Sequence, residues 1–309
     1  MRVTVLAGGI GAARFIAGLQ RIIRPEDITA ICNVGDDLEW SSLMVCPDID
    51  SVLYTLAGIE GPDGWGIRDD TRHTLEGLRT LGGESWFGIG DLDLATHLFR
   101  TERLREGATL AEATAALARA RGVRVNVVPV TNDPHPTVVE TAEGDLAFQD
   151  YFVRRRAEPA LTGVSFPGAL ATPAPGVIEA IRDCDLLCIA PSNPVVSIAP
   201  LLALPDVSAA VRETRARRVA VSPIVGGAAI KGPAAAMLQA LGHEVSAVGV
   251  ARIYAGLIDL FVLDTVDMGL VSAVCALGME AVAVDTMMSG DDGRERVARN
   301  VLQAAGVFD

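Results

Sequence analysis

Apolar runs that end in glycine or in a small polar cluster recur along this chain, and stretches with helical spacing follow them. "RVTVLAG" (2–8) reads as a buried strand because its β-branched residues are not interrupted by polar ones. It runs into a glycine cluster and then into "AARFIAGLQRII" (12–23), whose apolar positions recur at helical intervals. "ITAICNVG" (28–35) is a second strand. This strand, glycine loop, helix, strand order predicts a parallel wound sheet. Residues 51–121 read mostly as helices: "DDTRHTLEGLRTL" opens on acidic residues, and "TLAEATAALARARG" has Thr109 and Glu112 in a capping-box relation with Gly122 as the stop.

"VRVNVVPV" (123–130) returns to strand, and residues 137–155 alternate around "EGD" as a β-hairpin. Residues 156–177, rich in Pro, Gly and Ala, read as a linker. Strands follow at 185–192, 218–225, 261–264 and 281–288, and a last helix at 291–305. The expectation is one α/β domain over 1–309, Rossmann-like and mostly parallel. Its core is about 1–50 and 177–309, and a helical insertion and hairpin occupy about 51–176.

Composition narrows the function classes. Half of the 309 residues are apolar and 21% are charged, so a large core is expected and disorder is not. The net charge of −13 argues against nucleic acid as a partner, which needs a basic face, while a local basic pocket for a small anion stays open. Five scattered cysteines (32, 46, 184, 188, 275) show no disulfide framework and suit a reducing, cytoplasmic setting. Cys184 and Cys188 read as small core residues. No leader is read at the N-terminus, and apolar runs break too early for a membrane span.

Candidate chemistry gathers at strand ends. In "AGGIGAAR" (7–14), Gly8, Gly9 and Gly11 let backbone N–H groups approach a phosphate at a helix N-terminus. Arg14 replaces the third glycine of G-x-G-x-x-G, and the P-loop Lys and Ser/Thr are absent, so a phosphate loop of another type, or a tight structural turn, is expected. Asp36, Asp37, Asp48 and Asp50 carry no His or Cys partner. Hard oxygen ligands of that kind suit Mg²⁺, with Mn²⁺ as the alternative; helix capping and turns are the plainer roles. Asp91 and Asp93 lie in a third acidic group, as ligands or as caps. Ser192, Asn193 and Ser197 in "APSNPVVSIAP", and Ser222, Gly226, Gly227 and Lys231 in "SPIVGGAAIKGP", offer further donors at strand ends. "FVRRR" (152–156) is either a solvated patch or an anion clamp. His97 and His135 stand alone and read as core or surface residues.

Taken together, "VLAGGIGAARF", "NVGDD", "CPDIDSVLYTLAG", "WFGIGDLDLATHLFRT", "FQDYFVRRR", "APSNPVVSIAP" and "AVSPIVGGAAIKGPAA", with "DTMM" at 285–288, resemble the 2-phospho-L-lactate transferase family of coenzyme F-420 biosynthesis. The resemblance implies that a guanosine diphosphate-activated three-carbon acid (lactate, enolpyruvate or glycerate) donates its phospho-acid group to the ribityl hydroxyl of the deazaflavin Fo, releasing GMP. It also implies Mg²⁺, with Asp36 and Asp48 as ligands, and Asp50 holding Fo. Position 88 falls where members of the family meet Fo, and glycine there (Gly88) would contact it through backbone; Asp91, close by, is a further candidate binding residue. The serine and glycine loops (Ser192, Asn193, Ser222, Gly226) would carry the guanosine diphosphate part. Asp50, or else Asp37, is the expected acceptor of the alcohol proton. A homodimer is a further expectation. The rivals are a sugar-nucleotide-binding regulator of the same superfamily and an NAD-linked enzyme; "PDID", "GDLDLATH" and "FQDYFVRRR" favour the transferase over the first, and Arg14 disfavours the second.

Overall fold

The computed structural model describes residues 1–168 and 170–308. Seven strands form one sheet in which every neighbouring pair is parallel: β1 (Val3–Ala7), β2 (Ile28–Cys32), β3 (Asn126–Pro129), β4 (Leu186–Ile189), β5 (Arg217–Val221), β6 (Leu260–Asp264) and β7 (Glu280–Val284). Their spatial order is β7-β6-β5-β4-β1-β2-β3. The chain therefore winds outward from β1 through β2 to β3, then returns to the other side of β1 and winds the opposite way. Val3 pairs with Ile28 on one side and with Leu186 on the other. That reversal opens a crevice beyond the carboxyl ends of β1 and β4, the place where wound sheets bind ligands.

The strands are short and apolar because both faces are covered: every residue of β1, β4 and β6 is buried. Helix α1 (Gly9–Leu19) starts three residues sooner than the sequence suggests, directly from the glycine cluster. It crosses the C-terminal helix Gly290–Ala304 so closely that a Cβ on Gly18 would stand 2.1 Å from the Arg294 carbonyl oxygen.

Four helices fill the β2–β3 connection: α2 (Pro47–Leu56), α3 (His73–Thr80), α4 (Asp91–Arg105) and α5 (Leu110–Ala120). The capping box at α5 is formed, with Glu112 N–H donating to Thr109 Oγ1 at 3.2 Å and Thr109 N–H to Glu112 Oε2 at 2.8 Å. Two features depart from expectation. A ribbon, Leu38–Trp40 against Leu43–Val45, precedes α2, turning through Ser41 and Ser42 at positive φ. The hairpin Val138–Thr141/Gly144–Ala147 gains a third strand, Leu161–Ser165, from the stretch read as linker. Among the described residues no single helix is long and apolar enough to cross a membrane.

Candidate active site

The crevice holds a cavity of about 440 Å³. The glycine loop forms its floor. Gly9 has φ +61°, and a Cβ there would lie 2.8 Å from Asp48 Oδ1; one on Gly8 would meet Ser197 Cβ at 2.4 Å. Glycine is required here by close approach as well as by backbone angle. Gly11 is pressed against the Pro191 carbonyl, where a Cβ would come within 2.0 Å. The loops after β1 and β4 thus touch, and Ser192 Oγ donates to the Gly8 carbonyl at 2.6 Å to fasten them. The Asn193 side chain accepts from Val195 N–H at 2.9 Å and caps the π-helical turn Pro194–Ile198. Ser222 Oγ is likewise occupied, donating to the Ile224 carbonyl.

The carboxylates sort by their partners. Asp36, in the loop after β2, and Asp48, in the first turn of α2, meet only amide donors. Asn33 Nδ2 donates to Asp48 Oδ2 at 2.9 Å and lies 3.5 Å from Asp36 Oδ1; Gln149 Nε2 donates to Asp36 Oδ2 at 3.2 Å. Both carboxylates are buried, and no cationic side chain pairs with either among the described residues. Burial first, and for Asp36 the charges of Asp48 and Asp37 next, push their pKa values up: Asp36 well above the usual carboxylate range, Asp48 to about 7. Such a pair fits a divalent cation that keeps its own waters and shares itself with a phosphate. Among the described residues no three His, Cys, Asp or Glu side chains form a closed metal cage, which a magnesium ion of that kind does not need.

Asp50, also on the cavity wall, differs. The fully buried Arg100 guanidinium grips both its oxygens, Nη1 at 3.1 Å from Oδ2 and Nη2 on Oδ1. Arg100 Nη1 also lies 3.3 Å from His97 Nδ1. A guanidinium only donates, so His97 carries its proton on Nε2, which faces Asp93 Oδ1 at 3.3 Å. Tyr54 Oη donates to the same oxygen at 2.6 Å. Nearby, the Phe148 and Phe152 rings stack in parallel at 5.6 Å, and with Phe87 they give this end of the cavity an apolar, aromatic lining.

Three expected residues stand away from the cavity wall. Asp37 lies off the wall with both oxygens enclosed beside the Cys46 thiol, and burial pushes its pKa well up, so it is out of reach of a substrate hydroxyl. Asp91 is engaged in capping: His73 and Thr74 N–H donate to it at 3.0 and 2.9 Å, which fixes the start of α3. Gly226 N–H donates to Asp267 Oδ2 at 2.9 Å. The remaining expected residues, Gly8, Gly9, Gly11, Asp36, Asp48, Asp50, Gly88, Ser192, Asn193 and Ser222, all face the one cavity. The arginines of 152–156 do not: Arg154 pairs with Asp150 and Arg155 with Glu143, on the surface.

A family model described as 2-phospho-L-lactate transferase CofD matches residues 3–302. The chain belongs to the 2-phospho-L-lactate transferase family. It is similar to a phosphoenolpyruvate transferase of Streptomyces griseus, with 44% identity over 99% of this chain and 98% of that one. It is also similar to a 2-phospho-L-lactate transferase of Methanosarcina mazei, with 37% identity over 97% of this chain and 99% of that one. Among solved structures, a UPF0052-family protein of Bacillus halodurans shares the fold, with TM-score 0.65 and 17% identity over 97% of this chain and 98% of that one. This family member is thus a transferase related to F-420 biosynthesis. Reading its sequence missed Asn33, Tyr54, Arg100 and Gln149. Asn33 opens "NVGDD" and carried a signal; the others reach the site only through tertiary packing.

Proposed function

We propose that this protein moves the phospho-acid group of a guanosine diphosphate-activated three-carbon acid onto the ribityl hydroxyl of the deazaflavin Fo. The pairing of Asp36 with Asp48, held by amides alone against the glycine loop, carries the reading. Together they hold Mg²⁺, or Mn²⁺ in its place. When bound, the ion supplies positive charge beside the donor's diphosphate, where charge builds as GMP departs.

The hydroxyl oxygen attacks the phosphorus that bears the acid. The P–O bond to GMP breaks, its electron pair leaves on the GMP phosphate, and the hydroxyl proton passes to water. A displacement of this kind rests mainly on positioning and charge neutralisation. The glycine loop presents backbone N–H groups to the diphosphate, and the Phe87, Phe148 and Phe152 side chains receive the flat deazaflavin. Asp50 accepts a hydrogen bond from the ribityl chain and orients it. Because both its oxygens are already gripped by Arg100, Asp50 aims the alcohol and does not deprotonate it.

The higher identity to the Streptomyces phosphoenolpyruvate transferases (44% against 37% for the Methanosarcina mazei lactate enzyme) favours an enolpyruvyl donor. The test is to supply Fo and Mg²⁺ with the guanosine diphosphate esters of enolpyruvate, lactate and glycerate separately, and to weigh the products by mass spectrometry. The enolpyruvyl phosphodiester of Fo should dominate. It should vanish in EDTA and with Asp48→Asn, whose circular dichroism should match the parent. No Fo phosphodiester from any donor, or undiminished turnover in EDTA, would overturn the reading.

A further inference from the structure

Arg14 occupies the position at which a dinucleotide-binding loop carries its third glycine. It is half-buried on α1, one turn beyond Ile10 and on the same face. Ile10 is packed against the 60s loop, since a Cβ on Gly64 would lie 2.8 Å from Ile10 Cγ2. Arg14 forms part of the main cavity wall and also of a second cavity of about 390 Å³ behind it, with Glu60, Arg68, Asp69 and Arg294.

Neighbouring cations there have partners. Arg294 pairs with Glu60 at 2.8 Å, and Arg68 donates to the Gly58 carbonyl. Among the described residues the Arg14 guanidinium makes neither a hydrogen bond nor an ion pair. Burial, and then the charge of Arg294, lower its proton affinity, with Glu60 opposing. A half-buried guanidinium with no protein acceptor keeps its donors available to an anionic ligand in the cavity. Among the described residues one other lysine or arginine, Lys231, lines the main cavity, and its ammonium is engaged by the Asp63 carbonyl and lies over the Trp65 ring.

The donors considered above differ in their carbon chain but share a carboxylate next to the phosphate-bearing carbon. That anion needs a cation of its own, because the diphosphate belongs to the Asp36–Asp48 end of the cavity. We infer that Arg14 binds the carboxylate of the donor's acid, and so makes the protein select acid esters over neutral ones. This rests on the transfer reaction proposed above.

The test measures calorimetric binding, in Mg²⁺ and without Fo, of three probes: GDP, its lactyl ester and its lactamide ester, which is the same size but uncharged. Hydrogen bonds to charged groups are worth enough for the parent protein to prefer the lactyl ester roughly ten- to a hundredfold. In Arg14→Gln that preference should fall to near unity while GDP binds as before, and Arg14→Lys should recover part of it. Lys231→Gln should keep the preference. An undiminished preference in Arg14→Gln, or its loss in Lys231→Gln alone, overturns the assignment of Arg14 and leaves the transferase reading standing. If the parent binds neither GDP nor its esters, both fall together. Unfolding curves for each variant show whether the fold is intact; Arg14→Lys with a normal curve and no recovered preference also counts against the assignment.

Discussion

Asp36, Asp48 and Asp50 lie close together in sequence, and the side chains that meet them separate their roles. Amides face the first two, and a guanidinium clamps the third. The Asp50–Arg100 pair is buried, and half of such a pair left behind is far worse than either the whole pair or none. Arg100→Leu should therefore destabilise the protein by about 3–5 kcal/mol in urea unfolding. Asp50→Leu combined with Arg100→Leu should cost less than Arg100→Leu alone. A double variant as unstable as the sum of the singles would show that the two side chains do not depend on each other.

At the level of elements, α3 and α4 cap one another. Asp70, before α3, accepts from Leu92 and Asp93 N–H at 2.8 and 3.0 Å at the start of α4, while Asp91 accepts from the first N–H groups of α3. Each helix start is satisfied by a carboxylate from the other's approach. Asp70→Ala should lower stability by about 0.5–2 kcal/mol, the usual cost of a lost cap, measured as a shift in urea midpoint. The main strands could be read from the sequence because burial on both faces leaves an unbroken apolar run. The ribbon at 38–45 could not, since its turn places serines, not glycine or asparagine, at positive φ. Leu161–Ser165 was missed because it is short, half-exposed and set among prolines and glycines. In the site, the glycine loop and the Asp36–Asp48 pair were legible, being compact motifs at strand ends. Gln149 was not, because it reaches Asp36 from a different element.

Across the whole molecule, the acidic pair links pH to stability. Burial raises the Asp48 pKa to about 7, above the ordinary value of 3.8. Between those limits the native state holds more protons than the unfolded chain, so this group's contribution to stability falls as pH rises from about 4 to about 7. Asp36 acts in the same direction. A Mg²⁺ ion held by the pair as proposed would compete with those protons, so its binding should strengthen as pH rises. The rise in melting temperature on adding Mg²⁺ should be larger at pH 8 than at pH 6, and Asp48→Asn should abolish that difference. An equal rise at both pH values would remove the pair as the proton-linked site.

The crossover between β2 and β3 carries a further consequence. Residues 33–125 leave the sheet and rejoin it beside the strand they left, and they bring with them Asp50, Tyr54, Gly88 and His97. Ser192, Asn193 and Ser222 come from the far half of the sheet, after β4 and β5. Much of one side of the cleft is thus encoded in a single continuous stretch, and Phe148, Gln149 and Phe152 from beyond β3 complete it.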